Sequence, residues 1–247
     1  YRGKGSGTNI AINQFKQKKH EKRQLLRGYN EQNKDINILI VGASYAWDLY
    51  LALELNKDLF PGYNFSFNDA ELNTMMENDV YISNNNFLNT DFYFLTSQYL
   101  YKDQFENIKL YKKYLDKLDK KLVVVSNQVE FYTKGNLLLD TLVKNQTYRD
   151  ELTNNNFEHF NKIYYLNLKK SVLKTNIKLK QITNELKVPF LDKMTYTCSE
   201  IKASCYAFNN KGDVNFFDYS HYTLSGAKFF GKKIYEISWL NDIFLNE

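Results

Sequence analysis

Hydrophobic positions change their spacing in a regular way along the chain. Residues 36–44, INILIVGAS, form a continuous apolar run that ends in small residues, the pattern of a strand buried on both faces. Residues 45–56, YAWDLYLALELN, then take helical spacing. Short strands are predicted at YNFSFN (63–68), DFYFLTS (91–97), KLVVVSN (121–127) and VPFLD (188–192). Residues 101–121 read as an amphipathic helix with Phe105, Ile108, Leu110, Tyr111, Leu115 and Leu118 available for burial. Residues 136–187 are mostly helical, in two or more helices broken near Asn154–Asn156, and 223–240 form a closing amphipathic helix. The Asn triplets at 84–86 and 154–156 read as loops. Strands alternating with helices predict a three-layer α/β/α domain around a central parallel sheet of about five strands, of the flavodoxin-like kind.

Composition sets limits on this picture. A chain of 247 residues suits one large domain, or one domain with a tail. Apolar residues at 43% and aromatics at 16% supply a sizeable core. No apolar run approaches the roughly 18–20 residues of a membrane helix. Ten Gly and two Pro argue against a turn-rich all-β fold. The net charge of +5 is uneven: residues 1–34 hold nine Lys/Arg against two Asp/Glu, and the remainder is slightly acidic. The expected organisation is therefore a basic N-terminal arm, 1–34, and a domain, 35–247. Within the arm, 1–9 read as a flexible lead-in, and 10–34 offer Phe15, Leu25 and Leu26 as the main apolar points. Such a segment is either a solvated helix or linker, or a surface for an anionic membrane or a glycan; no nucleic-acid-binding fold accompanies it. The chain begins at Tyr1 rather than Met, as a processed or excised piece would.

Two segments carry candidate chemistry. Gly42-Ala43-Ser44 lies where the first strand gives way to the first helix, the end at which open α/β sheets bind ligands. Ser44 is either an N-cap or a nucleophile whose own N–H, at a helix N-terminus, can stabilise an oxyanion. Neither phosphate-loop pattern, GxxxxGK[ST] nor GxGxxG, is present. Near the other end stands Asp218-Tyr219-Ser220-His221. An Asp three residues before a His can hold one ring nitrogen while the other faces a serine. His20 lies in the basic arm, and His159, in FEHFN, reads as a surface or packing residue. For His221 taken alone, structural and catalytic roles both stand. Cys198 and Cys205 are too few for a thiolate-only zinc site, and no metal or cofactor is expected. The sequons at 64–66 and 145–147 are short patterns expected by chance in an Asn-rich chain.

Taken together, the strand–Gly-x-Ser–helix start and the Asp-x-x-His before the last helix resemble the SGNH (GDSL-like) hydrolase superfamily. The segment from Cys198 to Ala227, with its paired cysteines, Phe216-Phe217-Asp218-Tyr219-Ser220-His221 and then Leu224-Ser225-Gly226-Ala227, is similar to SGNH domains attached to acyltransferase-3 membrane proteins. The resemblance implies Ser44 as nucleophile, His221 as base and then acid, and Asp218 as its orienter. It implies O-acetyl transfer to a cell-surface polysaccharide, with hydrolysis by a carbohydrate esterase or an inactive glycan-binding module as alternatives. It further implies an acyl donor and a carbohydrate acceptor, an acyltransferase-3 membrane domain as partner and an extracytoplasmic location, with a cytoplasmic one as the alternative; a monomer is expected. A Cys198–Cys205 disulfide would fit that location; a reduced cytosolic pair is the alternative. The chain departs from the family where Ala43 replaces the usual Asp and Tyr45 the frequent His, and where the later Gly and Gly-x-Asn blocks are not evident. By position, Gln98 or Asn68 would then join the Ser44 N–H in the oxyanion hole. Trp47, Tyr99 and Tyr222 are candidates either for stacking on sugar rings or for core packing.

Overall fold

A computed structural model describes residues 29, 35–69, 85–99, 102–132, 138–142, 145, 147, 150 and 156–244. The basic arm, apart from Tyr29, and most of the predicted break near Asn154 lie outside these residues. The five predicted strands form one parallel sheet: β1 (Ile36–Val41), β2 (Tyr63–Asn68), β3 (Phe92–Leu95), β4 (Lys121–Val125) and β5 (Phe190–Leu191). Their order is β2-β1-β3-β4-β5. The chain therefore turns back after β2 and crosses β1 to reach β3, which opens a crevice between the carboxyl ends of β1 and β3.

Side-chain alternation along the strands builds the three layers. Ile38 and Ile40 of β1, Phe65 and Phe67 of β2 and Phe92 and Phe94 of β3 face one way. They pack against α1 (Ser44–Glu54) and the later helix α8 (Leu224–Glu236). Leu39, Val41, Tyr93, Leu95, Leu122 and Val124 face the other way. They meet Phe105, Ile108, Tyr111 and Leu115 of α3 (Lys102–Lys117) and Leu179 of α6 (Lys170–Leu186). Every residue of α1 from Tyr45 to Leu53 is buried, because the sheet covers one side of the helix and α8 covers another. Gly231 makes that crossing possible: a Cβ there would stand 2.0 Å from the Ala52 carbonyl oxygen.

Some elements differ from the sequence pattern. A short helix α2 (Asn85–Leu88) occupies part of the first Asn triplet, which was expected to be a loop. The long helical region resolves into α4 (Leu138–Leu142), α5 (Phe157–Leu166) and α6, with a break at 167–169 where Leu168 bridges Phe131. After β5, α7 (Met194–Thr197) leads to a two-stranded hairpin, β6 (Cys198–Ser199) and β7 (Ser204–Cys205), closed by a Cys198–Cys205 disulfide with Sγ–Sγ 2.05 Å. Asn64 of the first sequon is buried inside β2. Tyr29, at the end of the basic arm, shares a 2.8 Å hydrogen bond between its hydroxyl and Thr90 Oγ1, next to the start of β3.

The turn after β1 depends on Gly42. Its φ is +135°, and a Cβ would lie 1.9 Å from the Thr96 carbonyl oxygen, which is backbone and cannot swing away. Gly42→Ala is therefore expected to destabilise the domain by about 2–4 kcal/mol. That corresponds to a Tm fall of roughly 5–15 °C, readable by calorimetry. An unchanged Tm would contradict this account of the turn.

Candidate active site

Ser44 is the first residue of α1, and the N-cap is Ala43, with no side-chain capping bond. The capping reading therefore fails, and the hydroxyl is spent elsewhere. Ser44 Oγ lies 2.9 Å from His221 Nε2, and His221 Nδ1 lies 2.7 Å from Asp218 Oδ2. Three side chains separated by up to 177 positions thus form one hydrogen-bonded chain, at the carboxyl end of β1. Ser44 is exposed.

The loop that carries His221 is fixed at its base and around its acid. Phe216 bridges Tyr222, the Phe217 N–H donates to the His221 carbonyl, and the Thr223 N–H donates to the Asn215 carbonyl. Thr223 then caps α8, its Oγ1 accepting from the Gly226 N–H at 2.8 Å. Inside the loop, Asp218 Oδ1 accepts the Ser220 and His221 N–H groups at 2.8 and 2.7 Å. Burial pushes the Asp218 pKa upward, but the His221 ring and these two N–H groups outweigh it. The net position is below the ordinary carboxylate range. Phe217 stacks on the His221 ring (5.6 Å between centroids, 21° between planes), and Tyr45 and Tyr219 pack on it at 5.3 and 5.9 Å.

Several residues that sequence reasoning missed hold this arrangement. Asp48, one turn beyond Ser44 and fully buried, accepts from the Tyr222 N–H (3.2 Å) and from Gln128 Nε2 (2.9 Å). Gln128 Nε2 also donates to the Ser220 carbonyl. The helix bearing Ser44 thus grips the chain on both sides of His221. Glu130, buried, accepts from the Tyr45 hydroxyl, from Gln98 Nε2 (both 2.8 Å at Oε1) and from Lys169 Nζ (2.9 Å at Oε2). Ser220 Oγ lies 3.2 Å from the same Tyr45 hydroxyl, whose oxygen can accept from it. The visible signal for Asp48 was a charge placed early inside an apolar helical run. Nothing local marked Glu130.

The remaining expectations fall as follows. Gln98 lies in this neighbourhood, with its amide bonded to Glu130. Asn68 ends β2, and its carbonyl accepts the Gly42 N–H at 3.1 Å. Trp47, Tyr99 and Tyr222 are 6%, 2% and 0% exposed, so they are core residues and cannot stack on a sugar. His159 is half-buried on α5, next to Phe160. A surface cavity of about 250 Å³, lined by residues including Lys112, Lys121, Lys187 and Pro189, lies at the opposite, amino-terminal end of the strands. Among the described residues, no cluster of three or more His, Cys, Asp or Glu could hold a metal ion.

A solved structure of a lipopolysaccharide acetyltransferase periplasmic domain from Salmonella ser. Paratyphi A superposes with TM-score 0.64 at 16% identity, over 95% of this chain and 99% of that one, which establishes a shared fold. A putative acylhydrolase from Bacteroides fragilis (TM-score 0.47, 13% identity, 90% and 94% covered) also matches. So does a GDSL-like lipase from Bacteroides thetaiotaomicron (0.46, 14%, 90% and 96%). None of the curated proteins matches the sequence. The family model of the SGNH domain fused to AT3 domains matches residues 14–236. With nearly all of its length under that match, and with strand, Gly-x-Ser, helix and Asp-x-x-His in the places described, the chain belongs to the family of SGNH domains fused to AT3 domains.

Proposed function

We propose that this domain is a serine-dependent O-acetyltransferase that acylates a carbohydrate through a covalent acyl-enzyme. The observation that carries the reading is the hydrogen-bonded chain Ser44–His221–Asp218 at the carboxyl end of β1. Ser44 Oγ attacks the donor's ester carbonyl as its proton passes to His221 Nε2. Asp218 holds the Nδ1–H and stabilises the imidazolium. The tetrahedral oxyanion is met by the Ser44 N–H, a first-turn donor without an intrahelical acceptor. The amide nitrogen of Gln98 carries two hydrogens and so has one beyond its bond to Glu130; Asn68 is the alternative second donor. His221 returns its proton to the leaving alcohol, and the acetyl group stays on Ser44. A sugar hydroxyl then gives its proton to His221 and attacks the acetyl carbonyl. The resulting tetrahedral intermediate collapses by breaking its bond to Ser44 Oγ, which takes the proton back from His221 Nε2 as the acetylated glycan leaves.

The family's fusion to AT3 domains supports a membrane acyltransferase partner as the source of the acetyl group, and an extracytoplasmic site. The domain is 35–247, with the basic segment 1–34 as a tether. The disulfide suits the same compartment. Among the described residues, no helix is long and apolar enough to cross a membrane. Exposure of Ser44 favours a second reading, since water can reach an acyl group held there and the enzyme would then be an esterase. Incubation with an acetyl ester and an oligosaccharide, followed by mass spectrometry, separates the two. Acetylated glycan is expected; free acetate as the only product would overturn transfer.

A further inference from the structure

Lys193 follows β5 and is fully buried. Its Nζ donates to the Tyr45 carbonyl at 3.0 Å and to Thr96 Oγ1 at 2.9 Å, and lies 5.7 Å from the centre of the Tyr45 ring. Among the described residues no carboxylate pairs with it. The neighbouring Asp192 turns its Oδ1 to Ser126 Oγ (3.0 Å) and to the Met194 N–H (2.9 Å). Ser126 Oγ in turn accepts the Lys193 N–H at 2.8 Å, so the lysine backbone is pinned while its amine reaches across the sheet.

The two acceptors come from the two segments that frame the crevice. Tyr45 is the residue after Ser44, in the first turn of α1. Thr96 leaves β3 two residues before Gln98, and its own carbonyl is the atom packed against Gly42. We propose that Lys193 is a positioning residue of the active centre: its buried amine ties the first turn of α1 to the exit of β3 and so sets the gap in which the acyl oxyanion is held. A buried amine with no carboxylate is a costly way to fill a core, and a methionine would fill it without that cost. Burial pushes the Lys193 pKa down to about 7, against roughly 10.4 in an unfolded chain. The native state therefore binds fewer protons between these values, stability rises with pH across them, and the charged form burdens the fold below about 7.

The inference rests on Ser44 as nucleophile, and the test keeps the two apart. In Lys193→Met, kcat for an acetyl ester is expected to fall about 10–100-fold, the effect of a misplaced reacting group. KM should stay within about 2-fold, and Tm should hold or rise. Thr96→Val, which removes one acceptor at near-equal volume, should lower kcat in the same direction by less, and the double variant should do no worse than Lys193→Met alone. Ser44→Ala is measured beside them. Should it keep wild-type turnover, the functional reading fails. If Ser44→Ala is inactive while Lys193→Met and Thr96→Val turn over at wild-type rates, the positioning role alone is overturned. A Lys193→Met protein that does not fold, together with wild-type kcat in Thr96→Val, overturns it equally.

Discussion

Ser44→Ala is expected to lower acetyl-ester turnover by about 10⁴-fold or more, and His221→Ala to do the same. The size follows from what each group supplies. Without the hydroxyl no acyl-enzyme forms; without the imidazole the hydroxyl keeps its proton at neutral pH and is a poor nucleophile. Because the two act as one unit, the double variant should lose little more than either single one. The serine change should cost little stability. Ser44 is exposed, it caps nothing, and its hydroxyl reaches no described partner but His221. A shift within about 0.5 kcal/mol is expected for Ser44→Ala. Steady-state kinetics beside thermal melts check both statements. Wild-type turnover in either single variant would remove the proposed mechanism, whatever the geometry.

The framework was legible where it is written locally. The buried run of β1 ends in Gly42-Ala43-Ser44, and each of the five strands could be found from short apolar runs between helical stretches. The Asp218–His221 pair was suggested by local spacing, and the two side chains meet at 2.7 Å, while the backbone bonds that fix the carboxylate were not foreseen. What could not be read was whatever depends on partners far along the chain. Glu130 meets Tyr45 across 85 positions, and Lys193 meets Thr96 across 97. An Asp, Glu or Lys in a mixed segment looks the same whether it ends in water or in the core. The choice between sugar stacking and core packing for the aromatic residues was open for a related reason. Trp47 and Tyr50 lie on a helix with no free face, because α8 covers what the sheet does not, and that second cover has no trace in the helix's own periodicity. The α5–α6 break at 167–169 left no local signal for a comparable cause. It is set by Lys169, whose backbone N–H and amine both donate to Glu130 from another part of the chain.

The other large effect is expected at Asp218. In Asp218→Asn the remaining carbonyl oxygen can still accept the Ser220 and His221 N–H groups, so the loop keeps its shape. The amide nitrogen then faces His221 Nδ1, and a donor there favours the ring tautomer that is protonated on Nε2. The nitrogen 2.9 Å from Ser44 Oγ would carry a proton where a lone pair is needed. Turnover should fall by about 10⁴-fold with the fold intact. Stability gives an independent readout with a definite sign. The folded pKa of Asp218 lies below its ordinary value, so the ionised form is the one the fold favours. Its contribution is complete above the unfolded pKa, near 3.9, and is lost as pH falls through the folded value. The Tm difference between wild type and Asp218→Asn should therefore be constant above about pH 5 and shrink progressively below about pH 4. If the difference instead widened in acid, the carboxylate would be held neutral in the fold, and the tautomer argument for His221 would go with it.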